Sequence, residues 1–156
     1  LKDKIEGFHV IILGECYENA NKYIELIYNL EISNLITWHN KYIPDNDIAK
    51  YFSAADIVAL PYRSASQSGI VQIAYNFDLP VIVTNVGGLP EVILNGETGF
   101  LIDSRNVDKL VEKMLLLICN SKMRKQMGSR GRKHVISNYT IDKSIKAMEI
   151  IYQKYI

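Results

Sequence analysis

A chain of 156 residues, 48% hydrophobic and 22% charged, carries enough apolar material for one compact domain and too little for two ordinary ones. Eighteen Lys and Arg against seventeen Asp and Glu leave a formal charge of +1, which excludes a global field that recruits nucleic acid; any anion is bound locally. Cys16 and Cys119 fit neither a metal-ligand spacing nor a disulfide framework, the apolar stretch Met114–Cys119 is far shorter than the roughly 20 residues of a membrane helix, and no signal-peptide pattern opens the chain, so a cytoplasmic domain without metal or other cofactor is expected.

Short apolar runs alternate with segments of helical period, the pattern of parallel strands covered by helices. Phe8–Leu13 is the first run, closed by Gly14, and Tyr23, Ile24, Ile27, Tyr28 and Glu31 follow at helical spacing as a stripe expected to lie on the sheet. Leu35-Ile36-Thr37-Trp38 reads as the next strand, and Pro44-Asp45-Asn46-Asp47 opens a helix ending near Ala54. Ile57–Leu60 is a third strand, stopped by Pro61. A loop of small polar residues, Ser64–Gly69, leads into a helix carrying Ile70, Ile73, Ala74 and Phe77. Pro80–Thr84 is a fourth strand, a short helix over Leu89–Leu94 follows the Gly87-Gly88 pair, and Gly99–Ile102 is a fifth strand.

From Asn106 onward only helices remain, over Val107–Ile118, about Lys122–Ser137 and Ile141–Tyr155. The last places Ile141, Ile145, Met148, Tyr152 and Tyr155 on one face, which is expected to be buried. The fold class is therefore α/β, a doubly wound, mostly parallel sheet with a C-terminal helical segment. Such sheets take ligands beyond the carboxyl ends of their strands. That edge collects Gly14 and Glu15, the turn near Asn40, Tyr62–Gly69 and Asn85–Glu91.

Ser66, Gln67, Ser68 and Gly69 stand before Ile70 at a helix mouth, where first-turn N–H groups lack internal partners and small side chains let a phosphate or sugar approach the backbone. The plainer alternative is a Ser-rich helix cap. Gly87 and Gly88 turn the chain sharply toward the same edge, and Glu91 either caps the helix that follows or touches a ligand. His9, His39 and His134 are scattered, with His9 expected in the core, and no nucleophile–base pair or metal ligand set is visible. Six basic residues between Lys122 and Lys133 read as a solvated helix face, with attraction to a membrane surface the less favoured reading.

The runs Ala54–Pro61 and Leu79–Glu91, with Gly96-Glu97-Thr98-Gly99-Phe100-Leu101 at matching spacing, make the chain resemble retaining GT-B glycosyltransferases that use nucleotide-sugar donors, among them many enzymes of surface-polysaccharide assembly. The resemblance covers nearly the whole chain. It implies residues 1–156 as a single Rossmann-like, donor-binding domain, lacking its first β-α unit and the N-terminal domain that holds a saccharide or lipid-linked acceptor. The isolated fragment would then be inactive. It also implies a nucleotide sugar as substrate, with peripheral membrane association of the full enzyme as a further option, and the lack of a visible metal ligand set points to metal independence.

The resembled family carries two glutamates separated by seven intervening residues, one beside the donor sugar and one on the ribose; these positions are Ala65 and Ile73 here, so the catalytic residues stay unassigned. Ribose recognition then falls to Gln67, Ser68 or Gln72, and Gln67 and Ser68 are favoured because Gln72 is about 100° round the helix from the expected position. A nucleotide-sugar epimerase of the same fold is the alternative, though the loops offer few acid-base groups. A receiver-like regulatory domain would need an Asp ending a central strand, whereas Asp56 begins one.

Overall fold

The structure of the chain, a computed structural model, describes residues 1–155. Its backbone forms two units, one over Leu1–Ser53 and one from Ala54 onward. In the first, β1 (Val10–Leu13) and β2 (Ile36–His39) pair in parallel, with Val10 opposite Ile36 and Leu13 opposite His39. Parallel neighbours need a long crossover, which runs through helix α1 (Asn21–Asn29). Helix α2 (Asp45–Ala54) follows β2, with Asp45 and Asp47 in its first turn, where the helix dipole favours them.

The apolar stripe of α1 settles only in part. Tyr23 meets Trp38 edge-on at 6.1 Å between ring centroids, but Ile24 and Tyr28 stay exposed and Glu31 lies past the helix at φ 53°. Among the described residues, none in Leu1–Ser53 is fully buried. His9, expected in the core, is exposed just before β1 and hydrogen-bonded through Nε2 to Thr37 Oγ1 at 2.8 Å, in a unit with no fully buried residue among those described. Leu35 ends a 3-10 turn (Ser33–Leu35) rather than starting the strand.

The second unit holds the core. Strands β3 (Val58–Leu60), β4 (Val81–Thr84) and β5 (Gly99–Ile102) lie in parallel in that spatial order, with Val81 paired to both Val58 and Gly99. All four residues of β4 are buried, Val81, Ile82 and Val83 as apolar core and Thr84 with its hydroxyl hydrogen-bonded. Helices α3 (Ile70–Asn76), α4 (Val107–Ile118), α5 (Ser121–Asn138) and α6 (Ile141–Tyr155) follow the expected spans closely, except that Phe77 falls at the C-cap of α3. Asn106 and Asn120 cap α4 and α5, their side-chain oxygens accepting from Lys109 and Met123 N–H at 3.0 and 2.9 Å. Ile82, Phe100, Ile102, Leu117 and Met127 form the apolar centre.

Helices α3 and α5 approach closely because α5 carries Gly128 and Gly131. A Cβ at Gly128 would meet the Asp78 carbonyl oxygen at 1.7 Å, and one at Gly131 the Tyr75 ring at 2.2 Å. Tyr75 is fully buried, donates its hydroxyl to Thr98 Oγ1 at 2.9 Å, and is pushed up to about 12 by that burial. Within the basic run of α5, Arg124 and Arg132 pair with Asp56 and Asp78 at 3.2 and 2.9 Å, while the remaining four face outward or line the surface.

The expected burial of α6 is not met. Every described residue of that helix is exposed, Ile141 by 78% and Tyr155 by 79%. Amphipathic spacing states that a face needs covering; nothing among the described residues covers it. The architecture is nonetheless α/β with parallel sheets and flanking helices, its five strands divided between one pair and one triplet.

Candidate functional site

At the carboxyl end of the triplet, two turns are stitched to one another. The Thr84 hydroxyl, ending β4, is buried and donates to the carbonyl of Tyr62 at 2.8 Å, just beyond β3. Ser104, after β5, reaches the same carbonyl and that of Arg63, each at 3.3 Å. Tyr62 O is thus the common acceptor that fixes the start of the Ser64–Gly69 loop.

The glycine turn packs directly on that loop. Gly88 donates its N–H to Ser66 O at 2.7 Å. Gly87 adopts φ 53°, and a Cβ there would stand 1.8 Å from the Ala65 carbonyl oxygen. The pair is therefore glycine because the two backbones touch, and the sequence pattern correctly places Ser66, Gln67, Gly87 and Gly88 together. Gln67 lies against Gly88, its Cγ 3.1 Å from where a Cβ would sit.

This contact corrects one expectation. The Gly88 amide is already satisfied by Ser66 O, and the Ile70 amide faces Ser68 Oγ at 3.3 Å, so neither is free for an anion as the structure stands. The N–H groups of Gln67, Ser68, Gly69 and Gly87 have no hydrogen-bond partner among the described residues. Ser68 also lies 3.5 Å from the Tyr62 hydroxyl. The unpartnered N–H groups thus lie in the loop before α3 and at one glycine of the pair, rather than in the first turn of α3 itself.

Glu91 occupies a 3-10 turn (Leu89–Val92), shorter than the helix expected over Leu89–Leu94 because Ile93 is already extended and buried. Its side chain is exposed and its carbonyl accepts from Tyr139 Oη at 2.7 Å. Tyr139 in turn meets the His134 ring edge-on at 5.6 Å. On α3, Val71, Ala74 and Tyr75 are buried, Ile73 is half-buried and Gln72 is exposed. Ala65 and Ile73 leave this edge without a carboxylate at either position.

A cavity of about 510 Å³ opens at the same edge, beside the stitched turns rather than at the glycine pair, with Arg63 and Arg105 in its wall. The sequence reading placed Tyr62 and Arg63 at this edge without giving either a role, and it missed Thr84, Ser104 and Arg105. No spacing marks them, since their roles depend on the pairing of β3, β4 and β5. In the other unit, Cys16 N–H donates to Asn40 Oδ1 at 2.7 Å, joining the turns after β1 and β2. Among the described residues, no three His, Cys, Asp or Glu side chains are grouped to hold a metal ion, and no helix is long and apolar enough to cross a membrane.

The chain is 26% identical over 129 residues to N-acetyl-alpha-D-glucosaminyl L-malate synthase of Bacillus anthracis, covering 83% of this chain and 33% of that protein. To D-inositol 3-phosphate glycosyltransferase of Corynebacterium diphtheriae it is 29% identical over 130 residues, 83% of this chain and 30% of that one. The chain thus spans about a third of the length of these relatives. The fold matches HepE of Anabaena, solved in complex with UDP, with a TM-score of 0.82 at 16% identity over 94% of this chain and 41% of that one. The family described as "Glycosyl transferases group 1" matches residues 1–134, and the chain belongs to it.

Proposed function

We propose that this chain is the donor-binding part of a longer glycosyltransferase, which moves a sugar from a nucleotide diphosphate to a saccharide or lipid-linked acceptor held on a domain outside these 156 residues. The observation that carries this reading is the junction of the Ser64–Gly69 loop with the Gly87-Gly88 turn at the carboxyl edge of β3 and β4. It leaves the N–H groups of Gln67, Ser68, Gly69 and Gly87 unpartnered on the side where such sheets take their ligands. Catalysis of this kind stabilises the departing diphosphate, a task for fixed backbone donors rather than for an acid-base pair.

The HepE structures with UDP and with UDP-glucose support the reading, because a protein of the same fold holds a nucleotide sugar. Ser66, Gln67, Ser68, Gly69, Ile70, Gly87, Gly88 and Glu91 remain the proposed donor-facing set, with Gln67 and Ser68 taking the ribose. The Ile70 and Gly88 amides join only if the loop moves. A role in surface-polysaccharide synthesis, at the cytoplasmic face of a membrane and without a metal, completes the proposal.

The missing β-α unit is part of the same reading. Removing the first strand from the doubly wound order 3-2-1-4-5-6 leaves one parallel pair and one parallel triplet, the two ladders found here. The isolated chain then lacks both an acceptor site and part of its donor site, and it transfers no sugar.

The test is thermal melting of the chain with a panel of nucleotide diphosphates and nucleotide sugars. Binding to the folded state raises the melting temperature in proportion to the logarithm of ligand concentration over Kd. A selective rise with one nucleotide diphosphate supports the reading; equal, negligible shifts across the panel up to millimolar concentrations oppose it.

A further inference from the structure

The cavity of about 510 Å³ beside the stitched turns is within the size range of small-molecule sites. Arg63, in the loop after β3, and Arg105, in the turn between β5 and α4, both line it. Neither guanidinium has an ion pair or hydrogen bond among the described residues, although Asp103 lines the same space. Elsewhere in this unit, Arg124 and Arg132 each find a carboxylate. Two unpaired forks in one concave wall make an arrangement suited to bidentate recognition of a phosphate.

Two further observations show that the backbone carrying these arginines is held in place. Arg105 stands at φ 65°, a left-handed conformation unfavourable for a long side chain and natural for glycine. Strain of that kind persists where the surroundings enforce it, and it marks candidate functional positions. The Ser104 hydroxyl, one residue earlier, bonds to Tyr62 O and Arg63 O, so the two arginine-bearing turns are tied to each other.

The rest of the lining narrows the ligand. Asp103 offers a carboxylate, and the Asn106 side-chain NH2 has no hydrogen-bond partner among the described residues, only its oxygen serving the α4 cap. Both groups recognise hydroxyls. Ile102 and Leu110 supply an apolar wall. We propose that this cavity binds a phosphorylated sugar or polyol, its phosphate held by Arg63 and Arg105 and its hydroxyls by Asp103 and Asn106. The site is separate from the donor-facing amides at Gln67–Gly69 and Gly87, and it stands whether or not those bind a nucleotide.

Glucose 6-phosphate, glucose and inorganic phosphate are titrated into the 156-residue chain by calorimetry, with backbone amide NMR to locate binding. Saturable binding of glucose 6-phosphate is expected, with shifts centred on Arg63 and Asp103–Val107, and affinity about tenfold or more above glucose or phosphate alone. Arg63→Gln and Arg105→Gly are each expected to weaken it about tenfold or more. Arg105→Gly also relieves the left-handed strain, so its melting temperature should not fall, which separates lost binding from lost folding. Absence of saturation, equal affinity for inorganic phosphate, or undiminished binding by either variant would overturn the proposal. A UDP titration on the same sample reports on Gly87 and Ser68 instead, so this proposal and the donor reading fail independently.

Discussion

The backbone N–H of Gly88 donates to the carbonyl of Ser66 at 2.7 Å, and this contact decides which amides of the rim can meet a ligand. It brings Gly87 so close to Ala65 that a methyl group there would lie 1.8 Å from a carbonyl oxygen. Gly87→Ala therefore combines a left-handed alanine, costing about 1–2 kcal/mol, with an overpacked backbone contact of about 1–3 kcal/mol. A loss of at least about 2 kcal/mol in urea unfolding is expected. Gly88→Ala should be milder, because one of its nearest neighbours is the flexible Gln67 side chain.

Tyr75 makes alkaline stability a measurable property of the core. Its hydroxyl is raised from 10.0 to about 12, chiefly by burial, with the bond to Thr98 acting weakly the other way. For a group whose folded value lies above the unfolded one, the contribution is fully present below pH 10 and is lost as pH rises toward 12. About 2–3 kcal/mol is at stake. Tyr75→Phe should flatten the fall of stability between pH 10 and 12, measured by chemical denaturation at stepped pH; an unchanged slope would mean another group is responsible.

The interlock of α3 with α5 is open to a simpler test. Gly131→Ala drives a methyl into the Tyr75 ring, which is fully buried and has nowhere to retreat. Overpacking of this kind costs about 1–3 kcal/mol. A lowered melting temperature is expected, and an unchanged one would show the helices free to separate.

Ile73 offers a gain-of-affinity experiment. The resembled family has a glutamate there that takes the ribose hydroxyls, and here the position is apolar and half-buried. Ile73→Glu restores a charge-assisted hydrogen bond worth about 1.5–3 kcal/mol, so nucleotide diphosphate affinity should rise about tenfold or more. Stability should fall, since a carboxylate replaces partly buried hydrocarbon. Calorimetry showing no gain in affinity would place the ribose elsewhere.

Local pattern made most of the elements legible. The Val81–Val83 apolar run of β4, the Asn caps of α4 and α5, and the Gly87-Gly88 turn follow from residue type and short spacing alone. The helix ending at Leu94 shortened to a 3-10 turn because Ile93 is drawn into the core, a tertiary demand no propensity reveals. His9 was misplaced because a histidine in an apolar run looks buried, whereas the β1–β2 ladder leaves even Ile11 and Ile12 exposed. The Ser104–Tyr62 stitch and the Arg63–Arg105 cavity join segments some forty residues apart, as the 42-residue separation of that hydrogen bond shows, and become visible only once β3, β4 and β5 are in register. The face of α6 was read correctly as amphipathic, but spacing cannot say whether its cover lies in this chain.

The central claim is that main-chain amides of the loop and the glycine turn grip a nucleotide diphosphate. Backbone amide NMR of the chain during titration with UDP tests it most directly. Saturable shifts at Gln67, Ser68, Gly69 and Gly87, together with smaller ones at the internally bonded Gly88, are the expected result. Saturable shifts located elsewhere, with those four amides unmoved, would contradict it.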